Sequence, residues 1–255
     1  MSRRREPYLI PGYHPVCEAL SRPGCGVMEV WIAGDRRSKR ARTVLSLAED
    51  GDVPIRSRTA GELDDRFPDT AHQGFAAVVQ APEYADLEEL VEASLKTPGR
   101  GLLVAADHIT DEGNLGALIR TAAFFGAAGL VIPRDRAAGL GERVAKRSAG
   151  ASLLLPVARE VNLVRALDRL DQAGFWIIGA AGEAAADVYG FDWVRDTVLV
   201  VGSEDRGLAP NVRAHCHEIV AIPGSGRVAS LNVAVAAGAI LSEIVRQRMR
   251  AGGSL

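Results

Sequence analysis

From residue 102 onward, short apolar segments alternate with amphipathic ones, and this pattern limits the fold more than any other feature. Strand-like segments and helical spacing follow one another at 102–106, 115–125, 130–132, 142–149, 153–155, 163–173, 175–179, 198–201, 219–222 and 231–249. Apolar strands separated by helices are typical of a mostly parallel sheet covered on both faces. The sequence therefore predicts an α/β domain over 100–255.

The first 80 residues have the composition of a smaller α/β unit. Strands are predicted at 28–32 and 74–79, with a helix at 41–50 between them. Pro82 and Pro98-Gly99 bound the stretch that follows, which we interpret as a linker containing one short acidic helix. The predicted organisation is a small domain over 1–80, a linker over 81–99 and a larger domain over 100–255.

Bulk composition excludes some classes of protein. The 255 residues include 30 basic and 32 acidic ones, for a net charge of -2, which argues against a uniformly basic nucleic-acid-binding protein. No apolar run approaches the ~18 residues of a membrane-spanning helix, and the first residues do not resemble a signal peptide. Three cysteines without a C-x-x-C pair favour a reducing compartment, so we expect a cytoplasmic protein without a membrane partner.

Polar residues concentrate directly after three predicted strands, where open α/β sheets bind ligands. After the first strand, Asn114 stands where a helix begins and has capping as its structural role. Arg120 lies six residues further on, and either solvent or a phosphate would suit its guanidinium. The second segment runs from Gly202 through Glu204 to Gly207, and alone it signals only a strand-to-helix turn.

The third segment follows Ile222 and is rich in glycine. Ser230 is the expected N-cap of the last helix, and Asn232 is expected in its first turn. Residues 231–241, beginning with Leu231, are apolar almost all round, so the start of this helix is expected to be buried.

Two further clusters have weaker signals. His215-Cys216-His217 offers metal-ligand types, but a tetrahedral zinc site needs four ligands and no second cluster accompanies it. Basic residues are concentrated at Arg3–Arg5 and between positions 36 and 42. The second group has two possible interpretations, a charged surface exposed to solvent or a set of contacts with RNA phosphates. Its members are Arg36, Arg37, Lys39, Arg40 and Arg42.

Taken together, the three strand-end segments resemble the motifs of the SpoU (TrmH) family of RNA 2′-O-ribose methyltransferases, in the SPOUT superfamily. The matching residues are N-L-G at 114–116 with Arg120, G-S-E-x-R-G-L at 202–208, and I-P-x-x-G-x-x-x-S-L-N-V at 222–233. Near the N-terminus, G-x-x-x-V at 12–16 and H-Q-G at 72–74 resemble the family's substrate-binding domain. One departure is at Glu112-Gly113, where the family usually shows D-P-x-N-L-G, so the proline before the asparagine is absent.

The resemblance implies properties that periodicity does not show. It implies a trefoil-knot (SPOUT) methyltransferase domain after an L30e-like α/β domain, S-adenosylmethionine (AdoMet) as methyl donor without a metal, and a homodimer through the knotted domain. It assigns catalytic roles to Asn114, Arg120, Glu204, Ser230 and Asn232. The implied AdoMet-binding residues are Gly202, Ile222, Leu231, Ser230 and Asn232.

The resemblance favours a guanosine of 23S rRNA as the substrate. A tRNA guanosine, a ribosomal adenosine whose methylation confers antibiotic resistance, and a non-catalytic RNA-binding role stay open as alternatives. A nucleotide-dependent dehydrogenase is disfavoured, because 107–116 reads D-H-I-T-D-E-G-N-L-G rather than G-x-G-x-x-G. Since a guanidinium hardly deprotonates, we expect Arg120 to bind a phosphate and polarise the 2′-hydroxyl, while a phosphate oxygen or water accepts the proton.

Overall fold

The computed structural model describes residues 6–22, 25–68, 70–96 and 100–252, so the basic cluster Arg3–Arg5 lies outside the described residues. Contacts divide the chain into two units. Unit 1 consists of Met1–Glu83 together with Leu140–Leu154, and unit 2 consists of Tyr84–Gly139 together with Leu155–Leu255. The domain boundaries expected from the sequence stay predictions.

Unit 1 is built on a four-stranded sheet with the order β1-β4-β2-β3. Strand β4 runs antiparallel to β1 and β2, and β3 runs parallel to β2. Its elements from the first part of the chain are β1 (Tyr8–Pro11), α1 (Tyr13–Leu20), β2 (Val27–Ala33), α2 (Lys39–Asp50), β3 (Ile55–Arg58), α3 (Ala60–Arg66) and β4 (Phe75–Val79). Because β1, β2 and β3 share one direction, the helices that follow them all begin at the same edge of the sheet.

Local signals explain where the helices of unit 1 begin. The Ser38 hydroxyl accepts a hydrogen bond from the Ala41 amide at the start of α2, and Thr59 and Glu62 form a capping box at α3. Alternate residues of β2, Val30 and Ile32, are buried in the same core as Val44 of α2. The signals for β1, α1, β3 and α3 are short, and none of these four elements is predicted from the sequence.

Unit 2 contains a seven-stranded sheet with the order β7-β6-β5-β10-β8-β11-β9, and all of its strand pairs are parallel. This confirms the predicted parallel α/β architecture. The elements are α4 (Leu87–Ser94), β5 (Leu102–Asp107), α5 (Glu112–Phe124), β6 (Gly129–Pro133), β7 (Val157–Glu160), α7 (Leu163–Gln172), β8 (Trp176–Ala180), β9 (Ala186–Asp187), β10 (Thr197–Gly202), α8 (Pro210–Arg213), β11 (Glu218–Ala221) and α9 (Val233–Arg250); α6 belongs to unit 1.

The central strands of unit 2 are buried on both faces, which explains their near-continuous apolar sequence. Leu103 and Ala105 of β5 share one core with side chains of α4 and α7. Helices α5 and α9 pack against each other. The trefoil knot implied by the resemblance stays a prediction, because strand order alone does not define it.

The segment Leu140–Leu154 returns to the core of unit 1. Helix α6 (Glu142–Arg147) contributes Ala145 to that core, and Leu153 and Leu154 pack against it. The prediction of a strand at 153–155 was therefore wrong. A short 3-10 turn covers Ala151–Leu153 instead, and the strand begins only at Val157.

Two helices begin with caps other than the predicted ones. Asp111, not Asn114, caps α5, since its carboxylate accepts a hydrogen bond of 2.7 Å from the Asn114 amide. Asn232, not Ser230, caps α9. Val235 in the first turn of α9 is 56% exposed, contrary to the expectation that this turn is buried all round. Among the described residues, no helix combines the length and apolar character needed to span a bilayer.

Candidate active site

Three strands of unit 2 carry the polar segments to one edge of the sheet. β5 and β10 are neighbours in parallel register, with Asp107 opposite Gly202, and β11 runs in the same direction. The loops that follow these strands therefore leave the sheet at its carboxyl edge. This edge is where α/β sheets bind ligands.

Hydrogen bonds join the three segments at this edge. The Asn232 Nδ2 atom donates to Asn114 Oδ1 at 2.8 Å and to Glu204 Oε1 at 2.5 Å. Asn114 and Glu204 precede Asn232 by 118 and 28 positions in the chain, and both are bonded to its amide group. The structure brings together Asn114, Glu204 and Asn232, three of the residues predicted to form the active site; their catalytic roles stay predictions.

Asn232 uses its whole side chain in this arrangement. Its Oδ1 atom accepts hydrogen bonds from the Ala234 and Val235 amides at 3.0 and 3.3 Å. The two Nδ2 hydrogens go to Asn114 and Glu204, and Glu204 Oε1 also accepts a 3.3 Å bond from the Val233 amide. Asparagine combines a helix cap with a double donor, whereas aspartate would provide only the cap.

Ser230 and Arg120 do not take part in the hydrogen bonds that join Asn114, Glu204 and Asn232. Both are exposed, and within the described parts of the chain neither makes a side-chain hydrogen bond or ion pair. Arg120 lies six residues beyond Asn114 on α5, ~9 Å along the helix axis. Its guanidinium is available to an anionic ligand, and its predicted role stays a prediction.

The residues predicted to hold AdoMet lie in the loops after β10 and β11. A Cβ atom at Gly202 would lie 2.1 Å from the Gly207 carbonyl carbon, so glycine is required there by the chain's own turn. Ile222 is partly buried directly after β11. Leu231 is 50% exposed and Val228 is 77% exposed, so this loop presents apolar side chains beside polar Ser230 and Asn232.

A histidine–aspartate pair that is not predicted from the sequence lies at the same edge. Asp107 is 1% exposed, its Oδ2 atom accepts a 2.6 Å bond from the Ala209 amide, and its Oδ1 atom bonds His108 Nδ1. His108 has the unusual backbone angle φ 55°. Asp-His directly after an apolar strand was the available signal, but the backbone angle and the burial cannot be read from sequence.

The predicted RNA-binding cations lie at the start of α2 in unit 1. All five are exposed, and within the described residues none of them has an ion-pair partner. By contrast, Arg56 of the same unit pairs with Glu29 at 2.5 Å. The five are Arg36, Arg37, Lys39, Arg40 and Arg42.

The metal-ligand types at 215–217 have other partners. His217 Nδ1 accepts a 2.9 Å bond from the Ile177 amide, and its Nε2 atom lies 3.2 Å from Asp171. Burial raises the pKa of the Cys216 thiol to about 12, which opposes the thiolate that a metal would need. In the described ranges no group of three potential ligands is assembled.

Comparison with known proteins defines the class of this chain. Residues 101–242 match the model of the SpoU rRNA Methylase family, and residues 9–85 match the model described as RNA 2′-O ribose methyltransferase substrate binding. The chain therefore belongs to the SpoU rRNA methylase family.

Individual relatives cover nearly the whole chain. A 23S rRNA (guanosine-2′-O-)-methyltransferase, RlmB of Pseudomonas aeruginosa, is 38% identical over 93% of this chain and 95% of its own length. An uncharacterized tRNA/rRNA methyltransferase of Mycobacterium ulcerans is 40% identical over 96% of this chain and 79% of its own. The crystal structure of the SpoU methyltransferase AviRb from Streptomyces viridochromogenes has a TM-score of 0.77 at 29% identity, covering 96% of this chain and 91% of AviRb.

Proposed function

We propose that this chain transfers a methyl group from AdoMet to a ribose 2′-hydroxyl of RNA, with a guanosine of 23S rRNA as the target. The observation that carries the proposal is the bridge made by Asn232 between Asn114 and Glu204, which joins the three segments of the SpoU resemblance at one sheet edge. The target is supported by the RlmB relatives at 37–38% identity.

The loops after β10 and β11 suit AdoMet as the methyl donor. Leu231 and Ile222 offer apolar surface for the uncharged parts of AdoMet, and the backbone around Gly202 offers hydrogen-bonding groups. When bound, AdoMet supplies the electrophilic methyl group. An AviRb structure in complex with AdoMet, 28% identical to this chain with a TM-score of 0.76, supports this choice.

The bonded side chains fix the positions of the loops before the substrate arrives. Alignment of reacting groups is worth ~7–11 kcal/mol when it is complete. Asn232 holds the loop after β11 against the start of α5 and the loop after β10, through Asn114 and Glu204. Ser230, which is exposed in the same loop, is proposed to contact the substrate or AdoMet.

Arg120 is proposed to bind the phosphate next to the reactive ribose and to polarise the 2′-hydroxyl. A guanidinium keeps its proton at neutral pH, so it does not act as the base. The proton of the 2′-hydroxyl passes to a substrate phosphate oxygen or to water. Displacement at a sulfonium methyl group needs no Lewis acid, and we propose a metal-free reaction; unchanged turnover in EDTA tests this.

Residues 1–80 are proposed to bind the RNA and residues 100–255 to carry the reaction, with 81–99 between them. Cations from Arg36 to Arg42 would contact RNA phosphates. The match of residues 9–85 to a substrate-binding family model supports this division of roles.

A homodimer through the methyltransferase domain is also proposed. Its support is apolar surface on the packed helices α5 and α9, where Phe124, Val235 and Met249 are 78%, 56% and 56% exposed. Light scattering of the purified chain tests this. Since rRNA is the proposed substrate, we place the protein in the cytoplasm.

Two experiments test the proposed function. Titration with AdoMet and with NAD should give binding of AdoMet alone, and failure to bind AdoMet would contradict the proposal. Mapping of ribose methylation across rRNA and tRNA in cells lacking the protein should show one guanosine of 23S rRNA unmethylated. Loss at a tRNA guanosine or a ribosomal adenosine would identify those alternatives, and no loss at any position would favour a non-catalytic role.

A further inference from the structure

In unit 1, one edge of the sheet gathers loops from three distant parts of the chain. β1 and β2 end there, α1 and α2 begin there, and β4 starts there because it runs antiparallel to both. The Gly12 amide donates to Phe75 O and the Ala33 amide donates to Gly74 O, each at 2.8 Å, which holds the loops together. We name residues 12–14, 34–40 and 72–74 the Tyr13 edge.

An aromatic ring, a guanidinium and an amide meet at the Tyr13 edge. The Arg40 guanidinium lies 5.3 Å from the centre of the Tyr13 ring and donates a 3.5 Å hydrogen bond to Gln73 Oε1. The His14 ring lies 5.0 Å from the Tyr13 ring. His14, Arg40 and Gln73 are exposed, so these contacts form on the surface rather than in a core.

Gln73 is held in a left-handed backbone conformation, with φ 54°. Residues other than glycine seldom adopt this conformation because it is sterically strained. Strained backbone conformations are concentrated at functional sites. The neighbouring His72 fixes it, because its Nδ1 atom accepts a 3.0 Å bond from the Gly74 amide and its Nε2 atom bonds Asp64 at 2.9 Å. His72 is thus a positioning residue for the Gln73 amide.

The charges at the Tyr13 edge do not serve the stability of α2. Lys39 and Arg40 occupy its first turn, where the helix dipole disfavours cations, and this turn contains no acidic residue. In the described part of unit 1 neither has a carboxylate partner. Cations at this position destabilise α2 and are not neutralised by a described carboxylate, which favours a role in binding an anionic ligand.

We propose that the Tyr13 edge binds an unpaired nucleotide of the RNA substrate. The base stacks on the Tyr13 ring, with the His14 ring, inclined at 70° to that of Tyr13, against the edge of the base. The base also bonds the Gln73 amide, while Arg40 and Lys39 bind its phosphate. A base inside a duplex is stacked between its neighbours and cannot stack on the Tyr13 ring, so the site selects a looped or single-stranded segment. This inference rests on the proposed function, since it assumes that the ligand is RNA.

The test measures binding of the full chain to a fluorescein-labelled single-stranded RNA of mixed sequence and to a duplex of equal length. The Tyr13 ring lies 5.5 Å from the Phe75 ring, and Tyr13→Leu keeps an apolar side chain there but removes the aromatic ring. Gln73→Gly removes the amide at a backbone angle that glycine tolerates. Each is expected to weaken binding of the single strand about 10-fold and to change duplex binding less than twofold. Tyr13→Phe keeps the ring and should bind nearly as wild type does.

Matched controls separate this inference from a folding defect and from the proposed function. Arg56→Gln alters an arginine of unit 1 that is already paired and should leave RNA binding unchanged. AdoMet affinity and thermal unfolding should match wild type in every variant. Unchanged single-strand binding by Tyr13→Leu, or equal weakening for both RNAs, would overturn the inference. Failure of the wild-type chain to bind AdoMet would instead overturn the proposed function.

Discussion

At the carboxyl edge of the sheet in unit 2, polar side chains from three loops are bonded to one another through Asn232. At the Tyr13 edge of unit 1, by contrast, cations are exposed and lack carboxylate partners among the described residues. The first arrangement stabilises one geometry, as a reaction requires. The second preserves charge for a polyanion. Arg120 in unit 2 is likewise exposed and has no ion-pair partner among the described residues, and we propose that it binds a phosphate.

The largest effect is expected at Arg120. Arg120→Lys keeps the charge but loses the planar group with several donors, so it should lower kcat about 10²–10³-fold, the range seen when one aligned donor is removed. Binding of AdoMet should be unchanged. Methyl transfer from labelled AdoMet measures the effect, and near wild-type turnover would show that a planar group is not needed.

A second change breaks the bonded network and spares the helix cap. Asn232→Asp still caps α9 but places a carboxylate against Glu204 and Asn114. We expect a loss in kcat/KM of about 10- to 100-fold, corresponding to the ~1–3 kcal/mol of an unsatisfied polar group. Asn162→Asp is the matched control, because Asn162 caps α7 by accepting a 3.2 Å bond from the Arg165 amide. Equal activity in the two variants would show that the network has no role in the reaction.

The exposed cations of unit 1 are tested by neutralising those that have no ion-pair partner among the described residues. A variant with Arg36, Arg37, Lys39 and Arg42 all changed to Gln should have a shallower dependence of RNA affinity on salt. The slope should fall by roughly 0.7–0.9 for each RNA phosphate that the variant no longer neutralises. Arg22→Gln, at an arginine paired with Glu18 at 3.2 Å, should leave the slope unchanged. An identical slope in both variants would remove these cations from the interface.

The smallest effect is expected at His108. Because the proton is proposed to pass to a phosphate oxygen or water, His108→Ala should change kcat by less than about threefold, well below the 10²–10⁴-fold of a general base. The pH dependence of kcat should also be unaltered. A loss beyond 10²-fold that also removes a pH-dependent step would instead make the Asp107–His108 pair the proton acceptor.

The sequence was informative where one pattern dominated. The apolar strands β5 and β10 and the parallel sheet followed from periodicity, because strands buried on both faces have few alternatives. The short elements of unit 1 were missed, since β3 has only four residues and half of its pattern is exposed. The prediction of a strand at 153–155 was wrong, because residues that pack against the core of unit 1 must be apolar whether or not they form a strand.

Only the family resemblance predicted from the sequence that Asn114, Glu204 and Asn232 belong to one site. Local rules favoured Ser230 as the cap of α9, because serine at a helix start is a common signal. The structure uses Asn232, whose amide can also reach Asn114, 118 residues away. A contact of that separation depends on the order of strands in the sheet, which no local pattern contains.

The most direct test of the central claim is to identify the product of the reaction. Purified chain, labelled AdoMet and unmodified 23S rRNA are incubated, and the RNA is digested to nucleosides for mass spectrometry. We predict 2′-O-methylguanosine as the labelled nucleoside, formed by wild type and strongly reduced with Arg120→Lys. Label on a base, label on another ribose, or no transfer with AdoMet bound would contradict the account.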